Sequence, residues 1–405
     1  MIKTMRNKST QKALFVMLVG LLVFQSPLET VYSKFSYIDE LVALAGACLG
    51  LYDVVAVRRG RPDREQLMVA LPLLMFVAVG LAGNVLYRYQ PIKPVIVDLY
   101  TNLKFFFAIG TGYYLFRSLD WQEKKETACR CAKIFTLFLF VLFILDRIFH
   151  IWPGEIRYGI ASAKLFYFHP TYLAGAMALL VTLLTVFYEK KNLPFIVMAL
   201  VMMAFTLRAK SLASAALYAA MFVFFCVWKK ELKLWHVGAA GAGCLAIAWN
   251  KIRYYFFELA GASARSVMTG TSVRIMKEYF PIGTGFATFG SAEAGKNYSP
   301  VYMQYGFYDN YELRDVKDVE NTMRMVRENE ELAALYRLDP EYVLNDNSYL
   351  CDHFWPTIFG QTGFLGTVAY VFALATVLLN CLKMKKCDLY AYVGALFAMA
   401  YLFIS

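Results

Sequence analysis

The stretch FWPTIFGQTGFLGTVAYVFALATVLLNC, residues 354 to 381, contains no Lys, Arg, Asp or Glu. A helix needs roughly 20 apolar residues to cross a hydrocarbon core about 30 Å thick, so this stretch predicts a membrane-spanning helix. Similar apolar runs recur along the whole chain. Their length is typical of spanning helices and not of the shorter alternating strands of membrane barrels. We therefore expect an all-α polytopic membrane protein.

The composition agrees with that class. Of the 405 residues, 59% are apolar and only 18% are charged, against about 25% charged residues in an ordinary soluble domain. The mean hydropathy is +0.47, and the net charge is +11. The basic residues form short clusters between the apolar runs: 58–61, 124–125, 190–191, 229–230 and 383–386. This is the positive-inside pattern that orients membrane proteins, so the charge does not indicate nucleic-acid binding.

A cytoplasmic N-terminus places every basic cluster on the cytoplasmic side, and we expect about 11–12 transmembrane helices. Eleven are assigned near 13–25, 36–57, 66–86, 95–116, 134–152, 170–188, 193–207, 211–228, 234–250, 354–381 and 389–404. The predicted organisation is one integrated domain with three parts. They are an N-terminal bundle of about nine helices at 1–250, a large extracytoplasmic loop at 251–352 and the C-terminal helices at 353–405. Within the loop, apolar residues at helical spacing predict an amphipathic helix at 316–338.

Polar and charged residues collect on the predicted outer side. Asp352 and His353 stand where the last long apolar stretch begins, and ionisable groups at a bilayer boundary are functional candidates. Further candidates there are Arg157, His169, Arg208, Lys210, Arg265, Arg274, Trp355 and Gln361. Arginine suits phosphate because its planar fork donates two parallel hydrogen bonds. Three of them also have a simpler interpretation: Arg157 and Lys210 as interfacial topology residues, and His169 as the start of a helix at His-Pro.

Several chemistries have no motif in the sequence. It contains no P-loop, no HExxH and no paired Cys/His set, so it does not predict ATP-driven transport or a zinc site. No acidic DxD pair occurs in the predicted outer loops, and we expect no metal and no cofactor. The sequence Phe-Pro-Ile-Gly-Thr-Gly-Phe at 280–286 is a glycine turn, but no predicted strand or helix frames it as a dinucleotide fingerprint.

Four segments together resemble the O-antigen ligase and polymerase superfamily. The first is ARSVMTGTSVRIMKEYFPIGTGFATFG at 264–290, an arginine followed by a helix and a Pro-x-Gly-x-Gly turn. The others are FHPTYLA at 168–174, TLRAKS at 206–211, and the closing segment from Asp352-His353 to Gly363, in which Gln361 stands where the family often has Glu. The position that carries histidine in the ligases is Asp352 here, as in Asp-x-Phe-Trp-Pro variants of the polymerase branch.

The resemblance implies a GT-C-like glycosyltransferase at the outer face of a bacterial plasma membrane. It would join oligosaccharide repeat units carried on undecaprenyl diphosphate into O-antigen or capsular polysaccharide, without a metal. Arg265, Arg274 and Arg208 would stabilise the diphosphate leaving group, with Lys210 and Arg157 beside them, and His169, Trp355 and Gln361 would contact the substrate. Asp352 or His353 would activate the acceptor hydroxyl, with Asp352 favoured. The implied partners are membrane lipids, a chain-length regulator and a flippase.

Two alternatives stay open at the level of the sequence. A ligase would move the finished glycan from undecaprenyl diphosphate to lipid A core or to protein. A transporter of lipid-linked glycan belongs to a different class, and it would be expected to show repeated halves and helices broken near the bilayer midplane. The sequence shows neither feature clearly.

Overall fold

The computed structural model describes residues 8–116, 119–157, 159–228, 249, 253, 264–297, 299–305, 354–383 and 388–403. The predicted helix 316–338 and almost all of 234–250 lie outside these ranges, as do Asp352 and His353. In the described part the regular elements are helices, apart from one antiparallel pair of two-residue strands, β1 (Ile156–Arg157) and β2 (Ile160–Ala161).

The chain is an all-α multi-pass membrane protein. Its first helices are α1 (Lys8–Val23), α2 (Gln25–Val31), α3 (Ile38–Tyr52), α4 (Arg64–Tyr87), α5 (Ile92–Leu115) and α6 (Trp121–Phe149). Then follow α7 (Pro170–Val186), α8 (Leu193–Phe205), α9 (Ala209–Phe222), α10 (Ala264–Glu278), α11 (Ala292–Lys296), α12 (Pro300–Gln304), α13 (Phe354–Lys383) and α14 (Leu389–Phe403). Short 3₁₀ turns at Ser33–Tyr37 and Lys190–Asn192 and π turns at Asp53–Val57 and Val223–Val227 connect or extend them.

Five helices of the described chain are long and apolar enough to cross a membrane: Ser33–Val57, Gln66–Tyr87, Trp121–Phe149, Ala209–Val227 and Phe354–Cys381. The pair α1 and α2, bent by 70° at its break, would be a sixth. The predicted helices 170–188 and 389–404 are present as shorter apolar helices. The multi-pass class is confirmed, while the expected number of about 11–12 spans stays a prediction.

Capping boxes mark the starts of α4 and α6. The start predicted near residue 134 for the second of these helices was wrong, because the box at Asp120 begins α6 at Trp121. Asp120 accepts a hydrogen bond from the backbone N–H of Glu123 at 2.8 Å, and the Glu123 side chain accepts one from the backbone of Asp120 at 3.2 Å. Asp63 and Gln66 form the same reciprocal capping box at the start of α4. Each box satisfies N–H groups that have no partner inside the helix.

Two compact units make up the chain. The first contains residues 1–61, 104–231 and 377–405, and the second contains residues 62–103 and 232–376. In the first unit α7 packs against α1, α6, α8 and α14. Most of its side chains are buried, among them Leu173, Met177, Leu180 and Leu184.

In the second unit the segment 279–291 folds into a buried turn next to α4, α5 and α13. Phe286 packs against Phe76 of α4, with ring centroids 5.4 Å apart. A side chain at Gly80 would meet the Phe286 ring at 2.3 Å, and one at Gly83 would meet the Gly285 backbone nitrogen at 2.7 Å. Gly80 and Gly83 therefore allow the turn to pack closely against α4.

Candidate functional site

The predicted site residues belong to both units. Arg157, His169, Arg208 and Lys210 lie in the first unit. Arg265, Arg274, Trp355 and Gln361 lie in the second. Arg265 lies in the first turn of α10, and its side chain is outside the described part.

Arg208 is the centre of the first group. Its backbone forms the N-cap of α9, and no side chain caps that helix end. One guanidinium nitrogen, Nη2, lies 2.9 Å from Glu155 Oε1 and 2.7 Å from His169 Nε2. The side chain is only 16% exposed, and its Nε atom is buried without a hydrogen-bond partner among the described residues.

Glu155 joins two of the predicted arginines, and the sequence reasoning missed it. Arg157 donates to Glu155 Oε2 from Nε and Nη2, both at 3.0 Å, while Arg208 binds the other oxygen. These bonds from Arg157, together with the charge of Arg208, hold the pKa of the Glu155 carboxyl below its usual range. One feature of the sequence could have indicated its role: Glu155 is the only acidic residue between positions 150 and 188.

His169 has a structural role as well as its contact with Arg208. It precedes Pro170 as the N-cap of α7, and the backbone N–H of Thr171 lies 3.3 Å from its Nδ1 atom. The His-Pro pair therefore stands at a helix start, as the simpler interpretation expects. A guanidinium can only donate, so the 2.7 Å contact requires the lone pair on Nε2. A neutral imidazole has one lone-pair nitrogen, so Nδ1 then carries the proton and the 3.3 Å contact with Thr171 is not a second accepted hydrogen bond.

Lys210 and Ser211 follow Arg208 in the first turn of α9. The Lys210 ammonium lies 4.3 Å from the centroid of the Tyr401 ring, a cation–π contact. The hydroxyls of Ser211 and of Ser214, one turn further along, are fully buried and have no partner in the described part of the chain. The first turn of α9 contains no acidic residue.

In the second unit the buried turn supplies hydrogen-bond partners to the backbone of α13 where that helix is broken. Gly363 in α13 has φ 57° and ψ −156°, which interrupts the helical hydrogen bonds. The Gly360 carbonyl instead accepts from the Thr284 N–H at 3.1 Å, and the Gln361 carbonyl accepts from the Gly285 N–H at 2.8 Å. The Leu365 N–H donates to the Pro281 carbonyl at 3.0 Å. Backbone groups that the break leaves unpaired are thus satisfied by the turn.

Side chains satisfy further backbone groups of the turn. Asn84 both accepts from the Phe286 N–H at 2.8 Å and donates to the Phe286 carbonyl at 2.9 Å. Asp98 Oδ2 accepts from the Ala287 N–H at 2.7 Å. Gln361 Nε2 donates to the Phe289 carbonyl at 2.9 Å. The sequence reasoning missed Asn84 and Asp98, although Asp98 is the only acidic residue within α5.

Gln361 and Trp355 were predicted to contact substrate. Gln361 is fully buried against the turn, and its Oε1 atom has no partner within the described ranges. Trp355 is half-buried, and its ring lies 5.4 Å from Phe354 and 6.0 Å from Phe359. The contacts of Gln361 are those of a residue that holds the turn in place.

Arg274 pairs with neighbours on its own helix and on α12. Its Nε atom donates to Glu278 Oε1 at 2.8 Å, and its guanidinium lies 5.1 Å from the Tyr305 ring centroid. A hydrogen bond from Tyr305 and the pair with Arg274 hold the pKa of Glu278 below its usual range. Positions 265 and 274 are nine residues apart in α10, a rotation of about 180° at 3.6 residues per turn. The diphosphate clamp formed by both arginines stays a prediction.

Among the described residues, no three His, Cys, Asp or Glu side chains lie close enough together to hold a metal ion. Comparison of the chain with protein families, with curated proteins and with solved structures finds no match in any of the three.

Proposed function

We propose that the protein is a GT-C-like glycosyltransferase with about 11–12 spans. It joins undecaprenyl-diphosphate-linked oligosaccharide units into O-antigen or capsular polysaccharide at the outer face of a bacterial plasma membrane. The observation that carries the proposal is the arrangement around Arg208 at the start of α9. The sequence resemblance supplies the substrate class.

The surroundings of Arg208 have the properties of a phosphate site. The N-terminal end of a helix carries a partial positive charge and N–H groups without intrahelical partners. No side chain caps α9, and Arg208 and Lys210 add two positive charges there. The buried Arg208 Nε and Ser211 hydroxyl lack partners among the described residues. Buried polar groups are normally hydrogen-bonded, so phosphate oxygens bound here would satisfy donors that the folded chain leaves open.

This site would stabilise the leaving group of the transfer. The acceptor hydroxyl oxygen forms a bond to the anomeric carbon of the donor, while the bond from that carbon to the diphosphate oxygen breaks. Undecaprenyl diphosphate leaves with the bonding electrons, and fixed positive charge at the oxygen lowers the barrier. In this proposal Asp352 takes the hydroxyl proton, with His353 as the alternative base. Glu155 remains ionised and offsets part of the charge of Arg157 and Arg208.

A transporter of lipid-linked glycan is the second candidate, because the structure contains helix breaks that the sequence did not reveal. The pair α1 and α2 is bent by 70°, and α13 is interrupted at Gly363. Discontinuous helices are common at the binding sites of secondary transporters. The break in α13 has a local cause, however, because the glycine turn occupies it.

The decisive experiment uses purified protein in nanodiscs with the undecaprenyl-diphosphate-linked repeat unit. A polymerase releases undecaprenyl diphosphate and forms products of increasing length. A ligase releases it only when lipid A core or the protein acceptor is supplied, and its product carries one transferred glycan. A transporter in sealed vesicles moves the substrate across the bilayer and releases no undecaprenyl diphosphate. Release without chain growth, or movement without release, would overturn the polymerase assignment.

A further inference from the structure

A cluster of tyrosines joins the C-terminal end of α4 to the end of α10. We call it the tyrosine surface, formed by Tyr87, Tyr89, Tyr279 and Tyr305 together with Gln304. The rings of Tyr87 and Tyr89 are stacked, with centroids 5.7 Å apart and planes 13° apart. Tyr279 meets both edge-on, at 4.9 Å and 6.4 Å. Tyr279 is buried, whereas Tyr87, Tyr89 and Tyr305 are partly exposed.

The hydroxyl groups of the tyrosine surface form a directed chain. The Tyr279 hydroxyl donates its one proton to Gln304 Oε1 at 2.7 Å. The contact of 3.0 Å between the Tyr89 and Tyr279 hydroxyls must therefore be a bond donated by Tyr89. The chain leaves acceptor lone pairs on the Tyr89 oxygen and the two amide donors of Gln304, which is an exposed residue.

Charged groups border the same surface. The Tyr305 hydroxyl donates to Glu278 Oε2, and Glu278 Oε1 accepts from Arg274. Arg274 is 66% exposed and Glu278 43% exposed. The guanidinium lies over the Tyr305 ring, so planar donors and acceptors adjoin partly exposed aromatic rings.

This combination matches the chemistry of a sugar ring. A pyranose presents C–H groups on its faces and hydroxyls around its edge, so it is recognised by an aromatic face with hydrogen-bonding groups beside it. An ordinary interfacial belt of tyrosines would explain isolated rings directed at headgroups. It does not explain rings stacked on one another, a hydroxyl chain that ends at Gln304, or an Arg–Glu pair against Tyr305.

We propose that the tyrosine surface is a glycan-binding subsite for the oligosaccharide of the lipid-linked substrate. This inference rests on the proposed function, because that function supplies a glycan as the occupant. The subsite binds sugar residues through ring faces and edges, and it does not contact the diphosphate. Tyr87, Tyr89 and Tyr305 are the binding rings, and Tyr279 positions them.

The test measures binding of the free oligosaccharide, released by mild acid from its lipid carrier. Purified full-length protein in nanodiscs is titrated, and saturation-transfer NMR reports the contact. We expect Tyr89→Ala and Tyr305→Ala each to weaken binding at least about fivefold, the scale of one lost aromatic contact. Tyr89→Phe keeps the ring and should weaken it less. Tyr37→Ala, at a 62% exposed tyrosine outside the cluster, should bind like the wild type.

Binding of undecaprenyl diphosphate without its glycan is measured on the same samples, and folded tyrosine variants should retain it. Equal oligosaccharide binding by the wild type and all variants, or no binding by the wild type, would overturn the glycan subsite while leaving the polymerase proposal intact. Tyrosine-dependent oligosaccharide binding by a protein that never consumes the lipid-linked donor would support the subsite and refute the proposed function.

Discussion

Arg208 is the residue on which the proposed chemistry depends most. We expect Arg208→Ala to lower the rate of undecaprenyl diphosphate release at least tenfold. A hydrogen bond to a charged group contributes about 1.5–3 kcal/mol, and 1.36 kcal/mol corresponds to a factor of ten in rate. Arg208→Lys should recover part of that rate, because lysine keeps the charge but not the planar fork. The measurement is single-turnover release from the purified lipid-linked donor.

The matched control for Arg208 is Arg61→Ala, which removes an exposed arginine from the loop before α4. It should release undecaprenyl diphosphate at the wild-type rate. Full activity of folded Arg208→Ala would place the diphosphate elsewhere. Other helix ends, including the start of α10 at Arg265, would then have to be tested.

The base assigned to acceptor activation is tested at Asp352. Asp352→Asn should abolish chain extension while donor binding is retained, because the amide keeps the shape of the carboxylate but not its basicity. Polymer length on gels and donor binding in nanodiscs would be measured together. Polymer of normal length from Asp352→Asn, combined with loss in His353→Ala, would instead assign the role to the histidine.

Asp98 accepts a hydrogen bond from the backbone of the glycine turn. We therefore predict that replacing it lowers the stability of the protein. Asp98→Ala leaves the Ala287 N–H without its acceptor in a buried site, which costs about 1–3 kcal/mol. Asp98→Asn retains an acceptor oxygen and should be affected less. Thermal unfolding in detergent distinguishes the two variants. An Asp98→Ala protein as stable as the wild type would show that another acceptor replaces the carboxylate.

At the scale of elements, the break in α13 depends on Gly363. Its φ and ψ of 57° and −156° belong to a region used essentially only by glycine. An added Cβ atom would lie 2.4 Å from the backbone nitrogen of Gly283. Gly363→Ala should therefore lower the unfolding temperature and the yield of folded protein. The strain alone costs about 1–3 kcal/mol, before any clash is counted.

Gly270→Ala provides the control for that substitution. Gly270 lies in α10, and an added Cβ atom meets nothing within 4 Å. Alanine is favoured over glycine inside a helix by roughly 0.5–1 kcal/mol, so this variant should be as stable as the wild type or slightly more stable. Equal behaviour of the Gly363 and Gly270 variants would contradict the packing of the turn against α13.

For the whole molecule, the prediction is the orientation in the membrane. A reporter fused after Asn310 should score extracytoplasmic, and reporters at Lys124, Lys190 and Lys383 should score cytoplasmic. The physical reason is the concentration of Lys and Arg in the short loops assigned to the cytoplasm. A cytoplasmic score after Asn310 would reverse the assignment of the outer loop and, with it, the proposed side of catalysis.

The sequence predicted those features that depend on local chemistry. The apolar runs identified the membrane class. They placed the start of α6 near residue 134, however, whereas the capping box of Asp120 and Glu123 begins that helix at Trp121. The glycine turn was recognised as a turn, but its partners were not, because Asn84 and Asp98 are about 200 residues away in the chain. Likewise, Glu155 contacts Arg208 only in the folded protein, because the two residues are 53 positions apart in the sequence. Contacts over such distances leave no periodic signal in a single sequence.

The exchange of hydrogen bonds at Gly363 has a consequence for biogenesis. If α13 entered the bilayer alone in its broken form, the carbonyls of Gly360 and Gln361 would face hydrocarbon without donors, at a cost of several kcal/mol for each group. Their donors belong to Thr284 and Gly285, which the ribosome delivers earlier. We expect the glycine turn to be in place before α13 leaves the translocon. Altering the turn should therefore hinder membrane insertion of a helix that begins some 70 residues downstream.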